Sequence, residues 1–134
     1  MEGTGVEWRV RAIRGATTAS DNTVEAIRAA VTELLDALES RNGLDPNDII
    51  SATFSATRDL DAVFPASIAR ERLNWQQVPL LDVQQMHVEG SLERCIRCLI
   101  HVNTPVSSRE IYHPYLRQAQ HLRPDWSMTP ISLP

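Results

Sequence analysis

The sequence predicts an α+β domain: a mixed β-sheet with two helices packed on one face. Three observations predict it. Segments of period two alternate with segments of helical period in the first half, and the second half is strand-like throughout. The chain has 134 residues, 43% hydrophobic and 22% charged, the size and balance of one globular domain that buries roughly two-thirds of its unfolded surface. Only two helices are expected, so one sheet face lacks a cover of its own, and a homo-oligomer is the simplest way to supply one.

Each element follows from its residues. Residues 1–7 form a loose N-terminal extension. Residues 8–14 alternate, with Trp8, Val10 and Ala12 on one face and Arg9, Arg11 and Ile13 on the other, which is a strand. Gly15-Ala16-Thr17-Thr18 is expected to leave it. Ser20, Asp21, Asn22 and Thr23 are candidate N-caps for a helix in which Val24, Ile27, Val31, Leu34, Leu35 and Leu38 recur, and Asn42-Gly43 stops it. After the turn at Asp45-Pro46-Asn47-Asp48, residues 49–56 read as a second strand. Pro65 opens a second helix running to about residue 73. Residues 78–86 form a short strand with Pro79 near its start. Residues 94–104 alternate again, with Ile96, Cys98, Ile100 and Val102 opposite Cys95, Arg97, Leu99 and His101. Residues 112–122 are expected to form the last strand, and a proline-rich tail from about 124 to 134 is expected to be mobile.

The composition excludes several chemistries. All 13 basic residues are arginine, and lysine is absent. Without lysine there is no Schiff base for a pyridoxal enzyme or lysine-type aldolase, and no Walker A loop. What remains is a set of planar, permanently charged forks suited to carboxylates and phosphates. The net charge is -4 and the arginines are scattered, which argues against a nucleic-acid interface. No apolar run approaches a membrane span, no secretory signal is visible, and two cysteines fit a reducing, cytoplasmic setting.

Conventional catalytic motifs are missing. Cys95 and Cys98 have CxxC spacing, but on a strand residues three apart point to opposite faces, so two small strand residues are a better reading than a redox or zinc pair. The four histidines, His87, His101, His113 and His121, share no metal-binding spacing, and no nucleophile elbow is present. Arg14 ends the first strand. Arg97 lies within an apolar strand between Ile96 and Cys98, where desolvating a charge is costly unless it is paired. It should meet a carboxylate, and periodicity does not decide between one from the protein and one from a ligand.

At these residues the chain resembles the small trimeric, pseudo-α/β-barrel class of chorismate mutase, over about residues 9–128. The likeness rests on Arg11-Ala12-Ile13-Arg14-Gly15-Ala16-Thr17-Thr18, Ser55-Ala56-Thr57-Arg58-Asp59-Leu60 and Ala62-Val63-Phe64-Pro65-Ala66. Trp75, Val78-Pro79, Cys95-Ile96-Arg97, Tyr115-Leu116 and Leu122-Arg123-Pro124-Asp125 follow in register. The resemblance implies one domain over residues 1–134, a homotrimer with active sites between subunits, and the Claisen rearrangement of chorismate to prephenate in aromatic amino acid biosynthesis. That reaction needs no cofactor and no metal. It needs cations at the ether oxygen and carboxylates, an anion or dipole near the ring, and a shape that holds the compact conformer.

By the same resemblance, Arg97 donates to the ether oxygen, and Arg14 and Tyr115 grip the side-chain carboxylate. Phe64, Ala66, Leu80 and Leu122 form apolar walls. Arg70 comes from the neighbouring subunit, and Arg123 precedes a tail that helps cover the site. This sequence departs from the family at three positions. Gln85 replaces the usual glutamate and can bind the ring hydroxyl without supplying charge. Asp82 replaces a residue that is often cysteine, and the missing carboxylate is expected to have moved there. Ser67 stands where some members carry lysine. Two alternatives share the architecture: a Rid-type enamine/imine deaminase, and a catalytically weakened protein that binds a carboxylate metabolite for regulation.

Overall fold

A computed structural model describes residues 7–127 of the chain. Its first strand, β1 (Arg9–Thr18), runs four residues past the expected end. Gly15-Ala16-Thr17-Thr18 does not leave the sheet, because its pairing continues unbroken to Thr18 opposite Cys95. Thr17 and Thr18 are β-branched and suit a pleated surface. Gly15 is needed for space: a Cβ there would sit 3.1 Å from Cys98 Sγ, 3.1 Å from the Pro114 carbonyl oxygen and 3.2 Å from Leu34 Cδ1.

The first helix, α1 (Val24–Asn42), begins where Thr23 Oγ1 accepts the Ala26 N–H at 3.0 Å. It ends at Gly43, whose left-handed backbone (φ 56°) returns its N–H to the last carbonyls. Its buried stripe of Ile27, Ala30, Val31, Leu34, Leu35 and Leu38 packs on the sheet. Strand β2 (Ile49–Ala56) follows. The second helix, α2 (Pro65–Arg70), stops three residues short of its expected end. Gln76 Nε2 donates to the Arg70 and Arg72 carbonyls, closing off the helix end, and Asn74 adopts φ 68°. Leu73, at the expected end of this helix, is exposed. Strands β3 (Leu80–Gln84) and β4 (Cys95–Thr104) complete a sheet of order β1-β4-β2-β3.

The sheet is mixed: β4 is antiparallel to β1 and β2, whereas β2 and β3 are parallel. Helices α1 and α2 touch each other and cover one face, α1 over β1 and α2 over β2 and β3. Ile13, Phe54, Ile96, Cys98, Ile100 and Val102 point into that core. Register places Val10, Ala12, Arg14, Thr53, Leu81, Val83, Arg97 and Leu99 on the opposite face, where Val10, Leu81, Val83 and Leu99 are exposed.

The expected strand over 112–122 does not form. Tyr115 makes a single bridge to Ala16, through Ala16 N–H to the Pro114 carbonyl and Leu116 N–H to the Ala16 carbonyl, both 2.9 Å. Pro114 has no N–H to extend the ladder. Arg117 then turns the chain with φ 53°, its guanidinium donating to the Thr18 carbonyl and to Glu33. A 3-10 helix (Arg117–Leu122) replaces the strand, and Pro124–Ser127 forms one helical turn, α3, inside the segment expected to be a loose tail. The remainder of that tail, and residues 1–6 of the expected N-terminal extension, lie outside the described residues.

Candidate active site

Residues Arg14, Gln85, Arg97, Tyr115, Leu122 and Arg123 come together beside the uncovered sheet face. Alternation along β4 turns Arg97 away from the core that Ile96 and Cys98 enter, and register sets it between Ala16 and Ser55. Its Nε donates to Gln85 Oε1 at 3.1 Å. Gln85 is held just past the end of β3, its N–H donating to the Ala56 carbonyl. The sequence left open whether Arg97 meets a carboxylate from the protein. Among the described residues it meets a neutral amide, and neither Arg14 nor Arg97 forms an ion pair.

Tyr115 lies at the centre. Its ring is buried with Ala16 and Ala119 in a small second core that Leu92, Leu122 and Trp126 flank. Its hydroxyl is buried without a hydrogen-bond partner among the described residues. Burial pushes the phenol above its usual range, against the pull of the Arg14, Arg123 and Arg97 charges. The charges of Arg14, Arg97 and Arg123 thus all act on one hydroxyl donor that is unsatisfied among the described residues. A buried polar group of this kind awaits a partner, and the charges around it specify an anion.

Two participants gave no signal in the sequence. His113 Nδ1 accepts the Arg14 backbone N–H at 3.0 Å, so that nitrogen carries no proton. Burial, together with the Arg123 and Arg14 charges, holds the imidazole below its usual value. Trp126, from α3, stacks on His113 with ring centroids 4.0 Å apart and lies under the Arg123 guanidinium at 3.5 Å. Their roles depend on where the chain folds back, which no periodicity reports.

The other expected residues gather on the α2 side. Phe64 is exposed at the start of α2 and lines a cavity of about 590 Å³ with Arg58, Val63, Asp82 and Gln84. Ala66 is buried in the core, and Leu80 packs against it. Arg70 ends α2 and is exposed. Asp82 pairs in register with the core residue Phe54, and its Oδ1 accepts the Ala66 N–H at 3.0 Å. Asp82 therefore faces the helix side of β3, opposite Gln85. Within one subunit it does not take over the charge of a residue at position 85, which corrects the simplest form of that expectation. The three-residue spacing already implied opposite faces. Burial raises the Asp82 carboxyl, with the Ala66 N–H opposing it.

Cys95 and Cys98 point to opposite faces of β4 and are both buried. Burial pushes Cys98 up to about 12 and also raises Cys95, which leaves two inert thiols.

The chain has counterparts in sequence and fold among known proteins. A model of the family described as chorismate mutase type I matches residues 10–126. The chain belongs to the type I chorismate mutase family. It is 43% identical to chorismate mutase AroH of Bacillus subtilis over 120 residues, 90% of this chain and 94% of that protein. It is also 43% identical to chorismate mutase AroH of Thermus thermophilus over 117 residues, 87% and 95% of the two chains. Its fold matches the solved structure of a chorismate mutase from Clostridium thermocellum with a TM-score of 0.80 and 47% identity, covering 83% of this chain and 98% of the other. The sequence resemblance is thereby established over nearly the whole chain, and with it the mutase family rather than the deaminase one.

Proposed function

We propose that this chain, a chorismate mutase, binds chorismate in a cleft between two copies of itself, with Arg97 donating to the ether oxygen as the C–O bond breaks. The reaction is an intramolecular Claisen rearrangement to prephenate within aromatic amino acid biosynthesis. The ether C–O bond breaks, a C–C bond forms to the ring, and no atom enters or leaves. No nucleophile is called for, which accounts for the absence of a nucleophile–base motif. The observation that carries the residue assignment is a Tyr115 hydroxyl buried without a partner among the described residues, beside a Trp126 ring against which both Arg14 and Arg123 lie. Arg14 and Tyr115 suit one carboxylate of a dicarboxylate substrate. Arg97, already fixed by Gln85, suits the oxygen on which negative charge develops.

Two features favour a second copy. Phe64, Arg70 and Asp82 lie on the α2 side, whereas Arg97 and Gln85 belong to the uncovered face. That face also exposes Val10, Leu81, Val83 and Leu99, which a trimer of sheets would bury. In such an assembly Asp82 reaches a neighbour's site rather than its own, and there its carboxylate supplies the negative charge near the ring that Gln85 lacks. Among the described residues no helix is long and apolar enough to cross a membrane, and two free, buried cysteines fit a cytoplasmic setting.

The experiment is to incubate purified protein with chorismate, following the loss of its absorbance and the appearance of prephenate. One-for-one conversion is expected, and Asp82→Asn is expected to lower kcat at least severalfold. Binding without conversion would overturn the assignment, and an unchanged kcat in Asp82→Asn would overturn the role given to that carboxylate.

A further inference from the structure

The segment Arg123-Pro124-Asp125-Trp126 folds back on itself in one turn, Trp126 N–H donating to the Arg123 carbonyl at 3.0 Å. Within that turn the Arg123 guanidinium is fixed twice. Its Nε and Nη2 donate to Asp125 Oδ1 and Oδ2 at 3.1 and 2.8 Å, which sets its rotation in the plane. Its Cζ lies over the Trp126 ring, 3.5 Å from the ring centroid, a second contact from another direction. The His113 imidazole stacks on the same indole at 4.0 Å, with 24° between the planes. At those separations the two groups would overlap if they shared one side. The indole is therefore sandwiched between His113 and Arg123.

His113 is itself anchored, because its Nδ1 accepts the backbone N–H of Arg14. The sandwich thus ties the tail arginine to the strand that carries Arg14, whose guanidinium lies 5.9 Å from the same indole. Tyr115 borders it on another side, its ring centroid 5.7 Å from that of Trp126.

We propose that Trp126 is a positioning residue for substrate capture. Backed by His113, its indole holds the Arg123 guanidinium in place before the substrate arrives. The proposal rests on the mutase reading above. An arginine side chain free to rotate loses that freedom on binding, at a cost on the order of a severalfold to tenfold loss in affinity. An arginine already stacked has met that cost in folding. The benefit belongs to binding and not to the bond-breaking step, so it appears in KM and Kd and leaves kcat alone.

The test compares Trp126→Leu, which fills much of the space without an aromatic face, with Trp126→Phe, which keeps the face. Turnover is measured with chorismate, and affinity by calorimetry with prephenate. Trp126→Leu is expected to raise KM and Kd about fivefold, with kcat within twofold of the parent, and Trp126→Phe to recover most of the loss. In an Arg123→Ala background the Leu exchange is expected to add less than twofold, because nothing remains to be positioned. Unchanged Kd in Trp126→Leu, an equal loss in both backgrounds, or a fall confined to kcat would overturn the proposal. A parent protein that binds prephenate but does not convert chorismate would overturn the mutase reading, while the Kd comparison still decides the role of Trp126.

Discussion

Arg97 is expensive to place: a permanent charge on a strand whose neighbours enter the core, with a neutral amide as its partner. Its strand position and unusual neighbours were visible in the alternation of residues 94–104, and so was the position of Arg14. His113 was not, because an isolated histidine has no pattern. Its folded pKa lies below the usual 6.5, chiefly through burial and then through the Arg123 and Arg14 charges. Above about pH 6.5 both folded and unfolded chains are neutral at this residue, and it contributes no pH dependence. As pH falls below that value the unfolded chain takes up a proton that the folded chain resists, so stability drops. Between pH 7.5 and 5.5 the parent should lose more stability in urea than His113→Gln. Equal losses would contradict the account.

Among the elements, β1 shows how packing overrides local punctuation. Gly15 suggested a break, yet it is the residue that lets β1 pass under α1 and beside Pro114. Gly15→Ala should destabilise the protein by roughly 1–3 kcal/mol, read from the urea midpoint, because one of the atoms it meets is a backbone carbonyl. An unchanged midpoint would contradict this packing. The first strand, the first helix and the strand over 94–104 were legible in their periods, and the second helix and the strands over 49–56 and 78–86 in their residue types and prolines; which sheet face the helices cover was not. The strand expected over 112–122 does not form, for a physical reason outside any period: Pro114 withholds a donor, and Arg117 takes up a left-handed conformation rare in non-glycine residues. The turn at Pro124 was likewise hidden, since its contacts run to Arg123 and His113 rather than along a stripe.

For the whole molecule, the sheet has one face under helices and one face bearing both exposed apolar residues and the arginine cluster. The need for a cover was legible from the helix count alone. Which residues share a site was not, because Tyr115, His113 and Trp126 reach it where the chain folds back after β4, outside any period. The chain mass is 15.0 kDa, and the trimer that we propose should scatter light with three times that mass. Val10→Asp puts a charge on the uncovered face, four residues from Arg14, and should yield monomers that have lost chorismate turnover in parallel. A fully active monomer would contradict an intersubunit site.

The central claim is that Arg97 stabilises the charge developing on the ether oxygen. Its most direct test is the steady-state rate of chorismate loss in Arg97→Ala and Arg97→Lys, with folding checked by thermal denaturation. A folded Arg97→Ala should lose on the order of a hundred- to a thousandfold in kcat, the effect of removing one preorganised donor. Arg97→Lys should also be poor, since one point charge does not reproduce a fork whose Nε is held by Gln85. Near-normal turnover in a folded Arg97→Ala protein would contradict the account.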